Sequence, residues 1–369
     1  MKILLATIDY WPAYGGVANY YGNIASHWPE ASQLQVLDNS QKALVDETRS
    51  LIKWWPAIKT LRRKLKNKEF DHLLVGQILP LGTVAIWLKK FYKFEYSVVL
   101  HGMDFDFALR VPRKRKLALK ILKGASKIIC SNSYLAGEVS KFVGQETAQK
   151  VFVVNPGIEP ASMLPRNEQR IAELKKQYEL DGKFVILTLA RLVKRKGVDQ
   201  VILALSRLHE KWPDLAYVVA GAGPDEEYLK NYAQAAGNYF AEHIRFIGAP
   251  SDDDKWQWFH LCDCFAMPAR NDDGDYEGFG IVYLEANLCG KPVIAGQSGG
   301  VGDAVVDGEN GFLVGPTDTA AISQALMTLM DNPEVGKKLG EQGRARAAAK
   351  FLWQDLTLKF YKVINSIAN

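Results

Sequence analysis

The sequence predicts an α/β protein built as two doubly wound parallel sheets in tandem. Three observations carry this expectation. Short β-branched or aliphatic runs alternate with amphipathic helical patterns along almost the whole chain, the signature of parallel sheets. A polar stretch from Asn155-Pro156-Gly157-Ile158-Glu159-Pro160 to Pro165 interrupts that alternation near the middle and reads as a linker. The length of 369 residues is too great for one ordinary core and comfortable for two.

In the first half, strands are expected at residues 2–7, 34–37, 72–75, 97–100, 127–130 and 151–154, with helical segments such as 18–28 and 133–143 between them. A helix from about residue 167 to 180 feeds the second sheet, whose strands are expected at 184–190, 216–220, 244–247, 264–267, 293–295 and 311–314. The boundaries that follow are 1–160 for the first domain and 161–350 for the second. The last segment, 351–369, is a helix rich in large apolar residues (Phe351, Leu352, Trp353, Leu356, Leu358, Phe360, Tyr361, Ile364) and is expected to cross back to the first domain. Open sheets of this kind bind ligands at the carboxyl ends of their strands, so two of them are expected to share one cleft, with the linker and the C-terminal crossing as hinges.

Hydrophobic residues make up 48% and charged residues 24% of the chain, which excludes a disordered protein. No apolar run approaches the ~20 residues needed to span a bilayer. The apolar start Ile3-Leu4-Leu5-Ala6 is broken by Asp9 and has no small-residue cleavage pattern after it, pointing to a buried strand and a cytosolic chain. Four cysteines (Cys130, Cys262, Cys264, Cys289) are too few to staple this length and suit a reducing compartment. Cys262 and Cys264 lack a second ligand pair at zinc spacing. Residues 1–165 carry 23 Lys and Arg against 13 Asp and Glu, leaving the remainder at −5 within a net charge of +5. The first half is thus suited to something anionic: a phospholipid surface, nucleic acid or a phosphorylated substrate.

Four segments carry chemistry. The richest is Gly274-Asp275-Tyr276-Glu277-Gly278-Phe279-Gly280-Ile281-Val282-Tyr283-Leu284-Glu285-Ala286, with glycines before an apolar helix that ends near Gly290 and Pro292. Free backbone N–H groups at Phe279, Gly280 and Ile281 suit an anion. Glu277 and Glu285 are eight residues apart, about 12 Å along a helix axis, too far to share one scissile bond. They can hold hydroxyls at opposite ends of a long ligand; on spacing alone they also read as a surface acid and a helix-face acid. The second segment is Arg191-Leu192-Val193-Lys194-Arg195-Lys196-Gly197, basic side chains beyond a strand's carboxyl end that suit a diphosphate or, equally, a solvated loop.

The third is Trp11-Pro12-Ala13-Tyr14-Gly15-Gly16-Val17-Ala18, where Gly15 and Gly16 open a helix and let backbone approach a phosphate, although the G-x-G-x-x-G dinucleotide pattern is absent. Ala220-Gly221-Ala222-Gly223-Pro224 reads as a plain tight turn. The fourth is His101-Gly102, at the carboxyl end of its strand, a position for ligand contact. His27, His72, His209, His243 and His260 need only surface or core roles. Basic stretches at residues 59–68, preceded by Trp54 and Trp55, and at 110–116 can lie on an anionic membrane or form a solvated face. No nucleic-acid-binding module accompanies them.

Together these features resemble a retaining glycosyltransferase of the GT-B fold, family 4 (group 1), over nearly the whole chain. The resemblance rests on Gly15-Gly16, His101-Gly102, Arg191 with Lys196, Glu277-x7-Glu285 and Ser298-Gly299-Gly300. The run from Glu277 to Ala286, followed by Lys291-Pro292-Val293-Ile294-Ala295-Gly296, is similar to the phosphatidylinositol mannosyltransferase branch. The resemblance implies two Rossmann-like domains facing a cleft, the first binding the acceptor and the second the nucleotide-sugar donor. It implies that Arg191 and Lys196 neutralise the donor diphosphate in place of a metal, so neither cofactor nor metal is expected. Glu285 would hold the ribose and Glu277 the transferred sugar. Amides at Gly278, Phe279 and Gly280 would orient that sugar and its phosphate, Gly15 and Gly16 would close on the diphosphate, and His101 would lie beside the anomeric carbon.

One departure stands out: many relatives carry serine after the proline matching Pro268, whereas this chain has Ala269 followed by Arg270. The expected activity is transfer of a hexose, mannose from GDP-mannose, to a hydroxyl of a lipid-linked or glycan acceptor. A UDP-glucose or UDP-N-acetylhexosamine donor and a catalytically silent sugar-nucleotide binder are the alternatives.

Overall fold

The computed structural model describes residues 1–13, 15–49, 52–208, 211–237 and 241–366. Tyr14 and His209, named above, lie outside the described residues. The chain divides into two compact units, the first made of residues 1–157 with 353–369 and the second of residues 158–352.

The first unit holds a six-stranded sheet of β1 (Ile3–Ala6), β2 (Leu34–Leu37), β3 (His72–Val75), β4 (Glu95–Leu100), β5 (Ile128–Cys130) and β6 (Val151–Val153) in the order β2-β1-β3-β4-β5-β6. Every pairing is parallel. Strands β1, β3 and β5 are buried along their whole length, as expected where helices cover both faces of a parallel sheet and the strands read as continuous apolar runs. The connections starting from β1 and from β3 leave in opposite directions, so the switch point of this sheet lies between them.

The second unit repeats the plan with β7 (Phe184–Leu189), β8 (Leu215–Ala220), β9 (Ile244–Gly248), β10 (Cys264–Met267), β11 (Val293–Gly296) and β12 (Gly311–Val314), ordered β12-β11-β10-β7-β8-β9 and again all parallel. Its switch point lies between β7 and β10. All twelve expected strands are present, each within two residues of its expected bounds.

Helix starts follow local chemistry. Asn132 caps helix Ser133–Val143 by accepting from the Leu135 amide at 2.7 Å, and Asn167 caps helix Glu168–Gln177 by accepting from the Arg170 amide at 3.0 Å. The C-terminal segment is the helix Trp353–Asn365 and belongs to the first unit. Its Trp353 ring meets Tyr20 edge-on at 5.7 Å, and Phe360 and Tyr361 close on Trp28 at 5.9 and 5.5 Å. The Tyr361 hydroxyl donates to Glu30 at 2.6 Å. The two chain crossings lie side by side, the Ile158 amide donating to the Phe351 carbonyl at 2.7 Å.

Candidate active site

In the second unit, the loops after β7 and β10 flank the switch point, and they carry the two motifs that the sequence singles out. After β7 the chain makes a short 3-10 turn, Lys194–Lys196, then Gly197 in the left-handed region (φ 75°), then helix Val198–Leu205. A Cβ on Gly197 would lie 2.2 Å from the Pro268 carbonyl oxygen, so only glycine permits this approach to the segment after β10. The Gly221–Gly223 turn has more than the plain turning role expected of it. Its glycines press on the backbone of Ala190 and Leu192, where Cβ atoms would lie 1.9 and 2.2 Å from carbonyl oxygens. It therefore clamps the basic loop from the β8 side.

Glu277 is buried and its Oε2 accepts from both Lys196 Nζ at 2.5 Å and Arg195 Nη1 at 2.7 Å. Burial opposes its charge, yet the two cations outweigh that cost and hold its carboxyl below the usual range. Arg195 also pairs with Asp275 at 3.0 Å. Sequence reasoning passed over Arg195, because a run of three basic residues does not say which of them turns inward. The Arg191 guanidinium is exposed and has no protein partner among the described residues.

Glu277 does not share a helix with Glu285. Helix Ile281–Leu288 begins only after Gly280, which sits in the left-handed region at φ 80°. The helical spacing of about 12 Å therefore does not describe this pair: Glu277 belongs to the preceding loop. That loop is held by the turn after β11, where the Gly300 amide donates to the Glu277 carbonyl at 3.0 Å and a Cβ on Gly299 would lie 2.2 Å from the Tyr276 ring. Ser298 in this turn keeps a buried hydroxyl without a protein partner among the described residues.

Phe279 turns its ring inward against Phe351 at 5.6 Å, so only its backbone is available to a ligand. The amides of Gly280, Ile281 and Val282 sit at the helix start, where the first turn leaves N–H groups without intrahelical acceptors. Glu285, on the helix, pairs with Lys255 at 3.0 Å. Arg245, in β9, donates to the Tyr178 carbonyl at 3.0 Å and to Glu179 at 3.1 Å.

In the first unit, Gly15 (φ 142°, ψ 161°) precedes helix Gly16–Ser26, and neither glycine has an atom within 4 Å of where a Cβ would stand. This is open backbone at a helix start, as a phosphate contact requires. The same helix carries Tyr20 and Tyr21, whose rings meet the His101 imidazole edge-on at 4.9 and 5.1 Å. His101 follows β4, and its amide and that of Gly102 donate to Asp104 Oδ1 at 3.0 and 3.1 Å, fixing the turn. Burial pushes the imidazole pKa down to about 4, so it is neutral at pH 7, and its Nε2 has no partner among the described residues. Gly15, Gly16 and His101 are thus collected in one unit, and Lys196, Glu277 and Glu285 with the Gly278–Gly280 segment in the other.

His72 bonds Ser97 at 3.0 Å inside the core, and His260 bonds the Leu164 carbonyl at 3.0 Å, structural roles as expected. All four cysteines are buried free thiols. Among the described residues, no group of three or more His, Cys, Asp or Glu is placed to hold a metal ion.

Residues 170–346 match the family described as glycosyl transferases group 1. The chain carries a group 1 glycosyltransferase domain. The chain is 28% identical to a GDP-mannose-dependent alpha-(1-6)-phosphatidylinositol monomannoside mannosyltransferase of Mycolicibacterium smegmatis, over 95% of each chain. It is 28% identical to a Corynebacterium glutamicum enzyme described as a GDP-mannose-dependent monoacylated alpha-(1-6)-phosphatidylinositol monomannoside mannosyltransferase, over 99% of this chain and 98% of that one. Among solved structures it is similar to Anabaena HepE in complex with UDP (TM-score 0.79, 20% identity, 100% of both chains) and to a glycosyltransferase from Rickettsia africae (TM-score 0.77, 17% identity, 99% of both). These likenesses show the GT-B fold.

The buried pairing of Glu277 with two cations leaves one carboxylate oxygen, Oε1, as an acceptor for a ligand hydroxyl. A carboxylate held ionised in a site poor in water is a strong acceptor, and a neighbouring lysine is a compact charge for a phosphate.

Proposed function

We propose that this glycosyltransferase is a metal-independent, retaining hexosyltransferase that moves mannose from GDP-mannose to a hydroxyl of a lipid-linked acceptor. The observation that carries the reading is the Lys196–Glu277–Arg195 cluster at the switch point of the second unit, taken with near-full-length similarity to two GDP-mannose-dependent enzymes.

Arg191 and Lys196 take the diphosphate, which lets its charge grow as the bond to the sugar breaks. Glu285 accepts from the ribose and Glu277 from the sugar. The amides at Gly278–Gly280 orient the sugar and its phosphate, and Gly15 and Gly16 meet the diphosphate from the first unit. His101, neutral and cradled by tyrosines, supports the oxocarbenium-like centre through its carbonyl or ring. Among the described residues no side chain stands as an evident covalent nucleophile. The acceptor oxygen therefore attacks the anomeric carbon on the face from which the phosphate departs, and the leaving phosphate oxygen takes the acceptor proton. A trapped glycosyl-enzyme adduct would overturn this route.

The acceptor belongs with the first unit, whose surface is basic and aromatic. Helix Trp55–Lys66 buries Ala57, Ile58, Leu61 and Leu65 and exposes Trp55, beside a groove of about 580 Å³ lined in part by Lys59, Arg62, Arg63, Lys66 and Trp87. No helix among the described residues is long and apolar enough to cross a membrane. Peripheral contact of this face with the cytoplasmic surface of an anionic membrane fits that composition. Sedimentation with anionic liposomes at low salt, lost at high salt, is the expected result; failure to sediment with anionic liposomes at low salt would remove the membrane from the reading.

The donor is tested by thermal melting against nucleotides and nucleotide-sugars, without metal and then with Mg²⁺. A ligand at 100 times its dissociation constant stabilises by about 2.7 kcal/mol, a shift of several degrees. A metal-independent shift with GDP and GDP-mannose supports the proposal. A shift only with UDP species keeps the transferase and replaces its donor. No shift with any nucleotide overturns the donor site.

A further inference from the structure

Arg270, the residue after Ala269, is buried, and its guanidinium forms a two-pronged pair with Asp199 at 2.9 and 3.0 Å. Asp199 is buried too and lies in the first turn of helix Val198–Leu205. The Arg270 amide donates to the Arg195 carbonyl at 2.8 Å. Between those two attachments sits Gly197, pressed against the Pro268 carbonyl. The segment Pro268–Arg270 after β10 therefore grips the basic loop before, at and after the residues next to Lys196.

We propose that Arg270 and Asp199 are positioning residues of the donor site: their ion pair fixes the backbone on which Lys196 and Arg195 stand, and so sets affinity for the donor's diphosphate. The inference rests on the donor reading given above. A lysine ammonium stands on four rotatable bonds, and it can be aimed only as well as its backbone is held. The turn that carries Lys196 is a single 3-10 turn, a short element that does little to hold its own backbone. A guanidinium fork fixes distance and orientation together, which a lysine at position 270 would not. The pair itself is not required for burial, because a buried ion pair and two apolar side chains of similar volume stabilise a fold comparably.

That last point supplies the test. The full-length chain is prepared as wild type, as the double variant R270M/D199L and as R270K. Calorimetry gives dissociation constants for GDP and GMP, or for UDP and UMP if the uridine pair binds wild type. Initial rates with the matching nucleotide-sugar give KM and kcat. The double variant is expected to melt within a few degrees of wild type, to bind the diphosphate at least tenfold more weakly and to bind the monophosphate unchanged, with donor KM raised about tenfold. R270K should lose diphosphate affinity about threefold to fivefold. A merely structural pair would lower the melting temperature and leave the diphosphate-to-monophosphate ratio alone. An unchanged ratio in a folded double variant overturns the inference and leaves the donor reading standing. If the double variant does not fold, R270K decides on the same ratio. If wild type binds no nucleoside diphosphate, the donor reading falls and this inference with it.

Discussion

Glu277 is buried and His101 half-buried, and desolvation disfavours the charge of both, yet the outcomes differ. Glu277 keeps its charge because Lys196 and Arg195 stand against it, whereas His101 has aromatic neighbours and loses its proton. Glu277→Gln would leave two cations facing a neutral amide; sugar transfer is expected to fall at least a hundredfold while nucleotide binding persists, read as kcat against the GDP dissociation constant. The pH dependence follows from the directions. Glu277 is depressed, so its stabilising contribution is present above the ordinary carboxylate value and is lost as pH falls through its lowered one. His101 and His72, both at about 4, are neutral when folded. The unfolded chain takes up their protons first, so stability drops as pH falls from about 6.5 toward 4, by at most about 3 kcal/mol for each. Urea unfolding at pH 7, 6, 5 and 4 measures this, and the kcat profile should show no His101 ionisation between pH 6 and 8.

At the scale of elements, the glycines divide into those that permit packing and those that leave backbone open. Gly197→Ala combines a left-handed φ with a Cβ 2.2 Å from a carbonyl; it is expected to cost about 1–3 kcal/mol and to displace Lys196. Gly16→Ala meets nothing, so the melting temperature should hold while kcat/KM for the donor falls at least tenfold. A Gly16→Ala enzyme with wild-type kinetics would remove the first-unit glycines from the donor site. Both roles look alike in sequence, since a glycine before a helix announces only that the backbone is unusual there. Gly221 and Gly223 read as a turn for the same reason: their work is done against Ala190 and Leu192, some thirty residues away in the chain.

At the scale of the molecule, each unit carries its own switch point, and the C-terminal helix Trp353–Asn365 completes the first unit from the far end of the chain. Ending the chain at Leu352 would uncover Tyr20 and Trp28, side chains now nearly inaccessible to water, and Tyr20 lies against His101 at 4.9 Å. The truncated protein is expected to aggregate or to lose the melting transition of the first unit, seen by calorimetry, while residues 158–352 still give a transition that nucleotide shifts. Retention of a wild-type profile would show that the helix is dispensable.

The sequence by itself determined the twelve strands and the plan of two parallel sheets, because strand alternation is written in neighbours within a few positions. Only the tertiary structure decided the order of the strands, and the order decides which loops meet. Setting β7 beside β10 brings Arg195 to Glu277 across 82 positions and Arg270 to Asp199 across 71. A charge in sequence carries no mark of its partner. Whether Arg270 faces solvent or a buried carboxylate depends on burial and distance, and these exist only once the loops share one edge of a sheet.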